Sequence, residues 1–285
     1  MRDYRELNEL DLKLCLLKGS SLTVDNLDIK PYLLGELVDF GHSHYMRNIQ
    51  WVSLSVDDFI EAIVDEDRKR ALQEIQHTLK PFDFYTKLGD EEFQQALIEA
   101  LQMIFRTHDI RFLDENIIAI DFEKRGIFYT DEYGEISINN DVLESMSEED
   151  MKVIHRDNFD NIVKIIKLQN YLIPPSEKEE EETLPADEET RLLMEQMEGY
   201  RRKVDQKKKA LQDSDGENDI DIFTIIDAVS TKANALNKLS IWDYTVYMLY
   251  SEYARLEVID NYNFSIQAMM AGAESVDLTH WSSKL

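Results

Sequence analysis

Two histidines spaced His-x-His, His42 and His44 in the run GHSHY, are the first metal-binding candidates, with Asp39 nearby and His77 and His108 elsewhere. Such a pair suits zinc or iron on a strand, where alternate side chains share a face. The flanking residues read instead as helix ends, where positions i and i+2 diverge, so no metal and no other cofactor is expected. The run DSDGENDID, from Asp213 to Asp221, has the look of a calcium loop. It fails the EF-hand register, because Asn218 stands where glycine is needed and Thr224 where a bidentate glutamate is needed; a turn is the better reading. Cys15 sits among apolar neighbours and is an unpromising nucleophile. The chain has no phosphate-cradling glycine loop and no G-x-S-x-G elbow. Carboxylates are so abundant that pairing two of them on paper as acid and base carries no information. A non-enzymatic protein is therefore expected.

The elements that must position any site follow from composition. At 285 residues, 43% of them hydrophobic, the chain can bury a sizeable core in one large domain or two modest ones. Nine Gly and five Pro favour helices over loops and sheets. One cysteine excludes an internal disulfide and fits a reducing compartment. The first apolar run, residues 10–17, is interrupted by Asp11 and Lys13 and is too short to span a membrane. A cytoplasmic protein is the expectation. The formal net charge of -27 argues against binding nucleic-acid phosphates or anionic membranes through the bulk surface, and favours solubility or basic partners.

Along the chain, the alternating stretch 11–29 suggests two or three short strands with turns at Gly19-Ser20-Ser21 and at Asp25-Asn26. Pro31 suits the first turn of a helix that ends at Gly41. Ser55 with Asp58 opens another helix; residues 67–79 form the next, and Asp90 opens a third through Phe93, Leu97, Leu101 and Phe105. Residues 117–122, 127–130 and 135–138 read as strands of a small antiparallel meander, with 131–134 as a turn. Ser147 with Asp150 forms a further capping box, and 158–169 carries Phe159, Ile162, Ile165 and Ile166 on one helical face.

Pro174-Pro175-Ser176 and an acidic run follow, in which residues 177–189 hold eight acids and one lysine. That composition cannot bury enough apolar surface to fold by itself, so 174–190 reads as a linker between an N-terminal α+β domain (1–173) and a C-terminal helical domain (191–285). The fold class is mainly α (α+β). Leu193, Met197, Tyr200, Val204 and Leu211 keep heptad-like spacing, and the basic cluster from Arg201 to Lys209 suits the end of that helix. Ile222, Ile226, Val229, Ala233 and Leu236 mark the next helix.

The last forty-odd residues are apolar and aromatic almost all the way round. Ser240 with Asp243 reads as a capping box for a helix carrying Trp242, Val246, Leu249, Tyr253 and Leu256 on one face. A second seam, Ile259, Tyr262, Ile266, Met269 and Ala273, suggests a helical hairpin or one kinked helix, since Asn261 and Asn263 are mediocre helix formers. A helix with so little polar surface is buried or meets a partner. The expected partner-binding residues are Trp242, Tyr247, Tyr250, Tyr253 and Trp281, because Tyr and Trp combine apolar area with a polar handle.

Four stretches carry a family likeness: residues 12–49, with Gly41 to Tyr45 as a Gly-x-x-x-Tyr element; RDNFDNIVKIIKLQN (156–170); IWDYTVYMLYSEYARL (241–256); and AMMAGAESVDLTHW (268–281). Together they resemble the tail-assembly chaperones, or tail morphogenesis proteins, of long-tailed bacteriophages of Gram-positive hosts. The resemblance implies a virus-encoded, non-enzymatic protein of the host cytoplasm that coats the helical tape-measure protein and helps recruit tail tube protein. A homo-oligomer is compatible with it. Two other readings stand beside it: a structural tail or baseplate component, and an acidic inhibitor that mimics nucleic acid against a host DNA-binding protein.

Overall fold

Asn8 and Gly19 bracket the first helix. The Asn8 side chain accepts from the Asp11 N–H at 2.8 Å, and Gly19 ends the helix in the left-handed region at φ 69°. The computed structural model describes residues 3–89, 91–114, 116–130, 136–147, 151–173, 221–233, 236–272, 278 and 280–283. The acidic run, the heptad-like segment with its basic cluster, and most of the calcium-like loop lie outside the described residues. So do the 131–134 turn and the acidic half of the Ser147–Asp150 capping box.

Within these residues α1 spans Glu9–Lys18, where strands were expected, and only β1 (Leu22–Val24) and β2 (Leu27–Ile29) are extended. The every-second-residue leucines of α1 imitate a strand, but the caps at both ends select the helix. β1 and β2 pair antiparallel, Leu22 with Ile29 and Val24 with Leu27. The turn between them puts both Asp25 (φ 45°) and Asn26 (φ 65°) at positive φ, the tight hairpin their residue types favour.

Helices α2 (Leu34–Phe40) and α3 (His42–Val52) follow, separated by Gly41 at φ 95°. Glu36 accepts from the Leu33 N–H and is gripped by both Arg106 Nη atoms, at 2.8 and 2.9 Å. Ser55 and Asp58 form the expected capping box of α4 (Val56–Ala62), each bonding the other's backbone N–H. After α5 (Glu66–Ile75) come a single turn at Pro81–Asp83, the π-helical Phe84–Leu88, and α6 (Glu91–Phe105).

Three strands, β3 (Ile110–Asp114), β4 (Ile117–Ile120) and β7 (Val153–His155), make one antiparallel sheet in the order β3-β4-β7. β5 (Phe128–Thr130) and β6 (Ile136–Ile138) form a separate hairpin, and α7 (Asn140–Ser145) follows it. The single expected meander is thus two sheets. Arg111 breaks the apolar run of β3, and the Ser147–Asp150 helix signal just ahead of β7 masks that strand. α8 (Arg156–Gln169) buries Phe159, Ile162, Ile165 and Ile166 as expected, and packs on β1, β2 and β7.

The chain divides into two compact units, Met1–Pro175 with Ser240–Ser251, and Ser176–Leu239 with Glu252–Leu285. The sequence-based boundary assigned 240–251 to the C-terminal domain; in the structure this segment completes the first unit. Leu33 bridges Thr245, the Leu34 N–H donates to the Tyr244 carbonyl at 2.7 Å, and Ile241, Thr245, Val246, Tyr247 and Leu249 are all buried.

A Cβ at Gly19 would sit 3.0 Å from both the Met248 methyl and the Thr245 Cγ2, besides the cost of its positive φ. Gly126, at φ 73°, has nothing within 4 Å. Gly126→Ala is expected to cost about 1–2 kcal/mol for its backbone alone, and Gly19→Ala measurably more. Thermal unfolding of the two variants checks this; equal losses would mean that the contact with residues 245–248 contributes nothing.

In the second unit α9 spans Ile222–Lys232, started by Asp221, whose carboxylate accepts from the Thr224 N–H at 2.8 Å. The last helix, α10, is one element, Val246–Met270. Ser240 makes no side-chain cap, and Ile241–Asp243 is a turn of 3-10 helix instead. The helix begins after Thr245, whose Oγ1 accepts from the Met248 N–H at 3.2 Å. The expected hairpin of two seams is therefore a single helix of 25 residues; Asn261 and Asn263 lower its propensity without breaking it. No helix among the described residues is long and apolar enough to cross a membrane.

Candidate docking surfaces

The histidine pair falls in the first turn of α3, where its two members point apart. His44 is otherwise engaged: Arg47 Nη2 lies 2.8 Å from its Nδ1, and the Phe40 ring centroid is 4.9 Å away. Among the described residues, no group of three or more His, Cys, Asp or Glu comes together to hold a metal.

The five aromatic residues expected to bind a partner divide between the units. Trp242, Tyr247 and Tyr250 belong to the first. Trp242 lies on the 3-10 turn rather than on α10, 38% exposed, with its backbone against Gly35. Tyr247 is buried, its ring 5.5 Å from that of Tyr171, and so serves as core and not as open surface. Tyr250 is half-buried and stacks on Tyr171 at 5.6 Å with a 14° interplanar angle. Burial raises the hydroxyl pKa of both Tyr247 and Tyr250. Tyr171 was not expected at this site. It follows the end of α8 in left-handed backbone at φ 58°, which turns its ring onto the start of α10. The only trace in the sequence is the Asn170 before it, a residue common where helices stop.

Tyr253 and Trp281 belong to the second unit. Tyr253 is half-buried on α10. Trp281 is 50% exposed, and its carbonyl, like that of Ser283, accepts from Arg255 Nη1 at 2.8 and 2.9 Å. The His280 ring lies 5.7 Å from Tyr262 and 5.4 Å from Trp281. One arginine thus holds the tail against the helix that precedes it. Lys232 pairs with Asp260, tying α9 to the same helix.

Further along α10, Phe264, Met269 and Met270 are exposed, Met270 at 84%, and Phe223 on α9 is exposed as well. These residues were not singled out individually from the sequence, although Met269 lies on the expected second seam. Aromatic rings and flexible thioethers adapt to irregular apolar surfaces.

Residues 207–285 match the family model of the YomV second domain. That domain family is phage-associated. The match covers the last 79 of the 285 residues, under a third of the chain, and takes in all of α9 and α10. No curated protein and no solved structure matches the chain.

Proposed function

We propose that this protein is a phage tail-assembly chaperone, non-enzymatic and acting in the host cytoplasm, that binds the helical tape-measure protein and promotes addition of tail tube protein. The observation that carries this reading is the distal half of α10, which leaves Phe264, Met269 and Met270 exposed beside its polar residues. Exposed apolar side chains spaced along a helix suit a partner helix laid against them. The phage-associated domain matched at 207–285 and the resemblance over the four stretches named above support the same reading. The -27 charge adds to it, since a strongly charged carrier keeps an aggregation-prone client in solution.

The test is a pull-down from infected cells with the full chain and with Phe264→Glu/Met270→Glu, followed by mass spectrometry. The full chain is expected to retain a long helical tail protein, and the double variant about tenfold less of it, the loss typical of removing anchor residues from an interface. Both positions are exposed, so the fold survives the change. Equal capture by the variant would refute the assigned surface. Retention of a host DNA-binding protein, displaced by DNA and by salt, would replace the reading with nucleic-acid mimicry.

A further inference from the structure

Helix α1 carries an apolar stripe that nothing among the described residues of the first unit covers. Leu10, Leu14 and Leu17 stand at steps of four and three on one face and are 66%, 54% and 53% exposed. Beside them runs an open groove of about 620 Å³ whose wall includes Leu7, Asp11, Leu14, Cys15 and Lys18. Positions 10, 14 and 17 follow the four-three spacing of a two-helix seam.

Charge identifies the occupant. The chain as a whole carries -27, so two copies repel over most of their surface. α1 does not add to that repulsion: Glu9 and Asp11 are matched by Lys13 and Lys18, for a local sum of zero. The signs are also ordered, acid toward the start of the groove and lysine toward its end. Asp11 and Lys18 lie seven residues apart, about 10 Å along the helix axis. Their midpoint falls between Leu14 and Cys15. A two-fold axis through that point sets Asp11 of each copy opposite Lys18 of the other, with Leu14 opposite Cys15 at the centre and Leu10 and Leu17 flanking it. A closed dimer requires one patch that is complementary to itself, and this one is. A basic partner would find stronger attraction on the acidic remainder of the surface, and an acidic partner would meet Asp11 as well as Lys18.

We infer that α1 is a self-association face, pairing antiparallel with α1 of a second copy of this chain across a two-fold axis near Leu14 and Cys15. This is independent of the client surface on α10, and the inference stands or falls separately from the proposed function.

Sedimentation equilibrium of the full chain tests it, with the mass expected to move from 33.5 kDa toward twice that value as concentration rises. Leu14→Glu, at an exposed position and with unchanged circular dichroism, is expected to weaken association by about a hundredfold or more, because two carboxylates then meet at the axis. Asp11→Lys is expected to weaken it and Asp11→Lys/Lys18→Asp to restore it, a rescue that loss of folding does not mimic. A short bismaleimide should link Cys15 to Cys15 in the wild type and not in Leu14→Glu. A mass of 33.5 kDa at every concentration, association of Leu14→Glu equal to wild type, no rescue by the double swap, or no cross-link through the chain's single cysteine would each overturn the proposal.

Discussion

A chain ending at Leu239 is expected to lose most of the stability of its first unit, whereas one ending at Ser251 keeps it. The segment between them is short but almost wholly interior: Ile241 and Leu249 are 0% exposed, Thr245 is 1%, and Val246 and Tyr247 are 7% each. Full burial of an aliphatic or aromatic side chain contributes about 1.5–3 kcal/mol, so removing these four apolar residues costs roughly 6–12 kcal/mol. That loss is comparable to the ~5–15 kcal/mol that holds a domain folded. The Leu34 N–H also loses its acceptor at the Tyr244 carbonyl, and the small residues Gly19 and Gly35 are left facing solvent where Met248 and Trp242 lay. Urea denaturation followed by circular dichroism decides the matter: matching midpoints for the two truncations would show that the segment is dispensable. The same geometry bears on mapping the client surface. A deletion before Ser240 removes core together with any docking face, so loss of client binding by such a deletion says nothing about docking. Substitutions at Phe264 and Met270 avoid that confusion.

Phe159→Ala is expected to be the most damaging single truncation in the α8 core, at about 3–5 kcal/mol. Phe159 is 0% exposed, with the Phe82 ring at 5.2 Å and the Tyr85 ring at 5.9 Å. Its neighbours have little freedom to collapse into the void. Tyr85 is fixed by its hydroxyl, which donates to the Trp51 carbonyl. Burial pushes that hydroxyl's pKa up, so it stays protonated and keeps donating. The start of α8 is held by Arg156, whose Nε lies 3.0 Å from both Asp83 carboxylate oxygens and whose Nη2 donates to the Thr78 carbonyl at 2.6 Å. A cavity that cannot close retains its full cost. Phe264→Ala, on an exposed ring, is the control and should change stability by less than about 0.5 kcal/mol. A loss below about 1 kcal/mol for Phe159→Ala would show that the core repacks around the gap.

Much of the helical framework was legible because its signals are local. The Ser55–Asp58 capping box, the Asp25-Asn26 turn, the glycine stop at Gly41 and the apolar face of 158–169 each depend on residues within a few positions of one another, and each stands where the sequence placed it. Period misled where two periods coincide: leucines at 10, 12, 14 and 16 satisfy a strand, while those at 10, 14 and 17 satisfy a helix, and Asn8 and Gly19 arbitrate. β7 escapes the sequence reading because Ser147 and Asp150 just before it read as a helix start, and its pairing with β4 is long-range, so the one expected meander is two sheets.

For the candidate surface, the sequence by itself determined the composition: a C-terminal helix rich in Tyr and Met, in a chain carrying -27. Which of those side chains face solvent is a long-range matter, since it depends on what packs against each turn of the helix. Tyr247 and Tyr250 were expected outside, but Tyr171, more than seventy positions earlier, covers them because a left-handed residue at the end of α8 swings its ring across. The same holds for the units. Composition marks the acidic run as a boundary, yet the chain returns after it to fill the first unit with residues 240–251, a pairing that burial of Ile241 and Leu249 enforces and that no local pattern encodes.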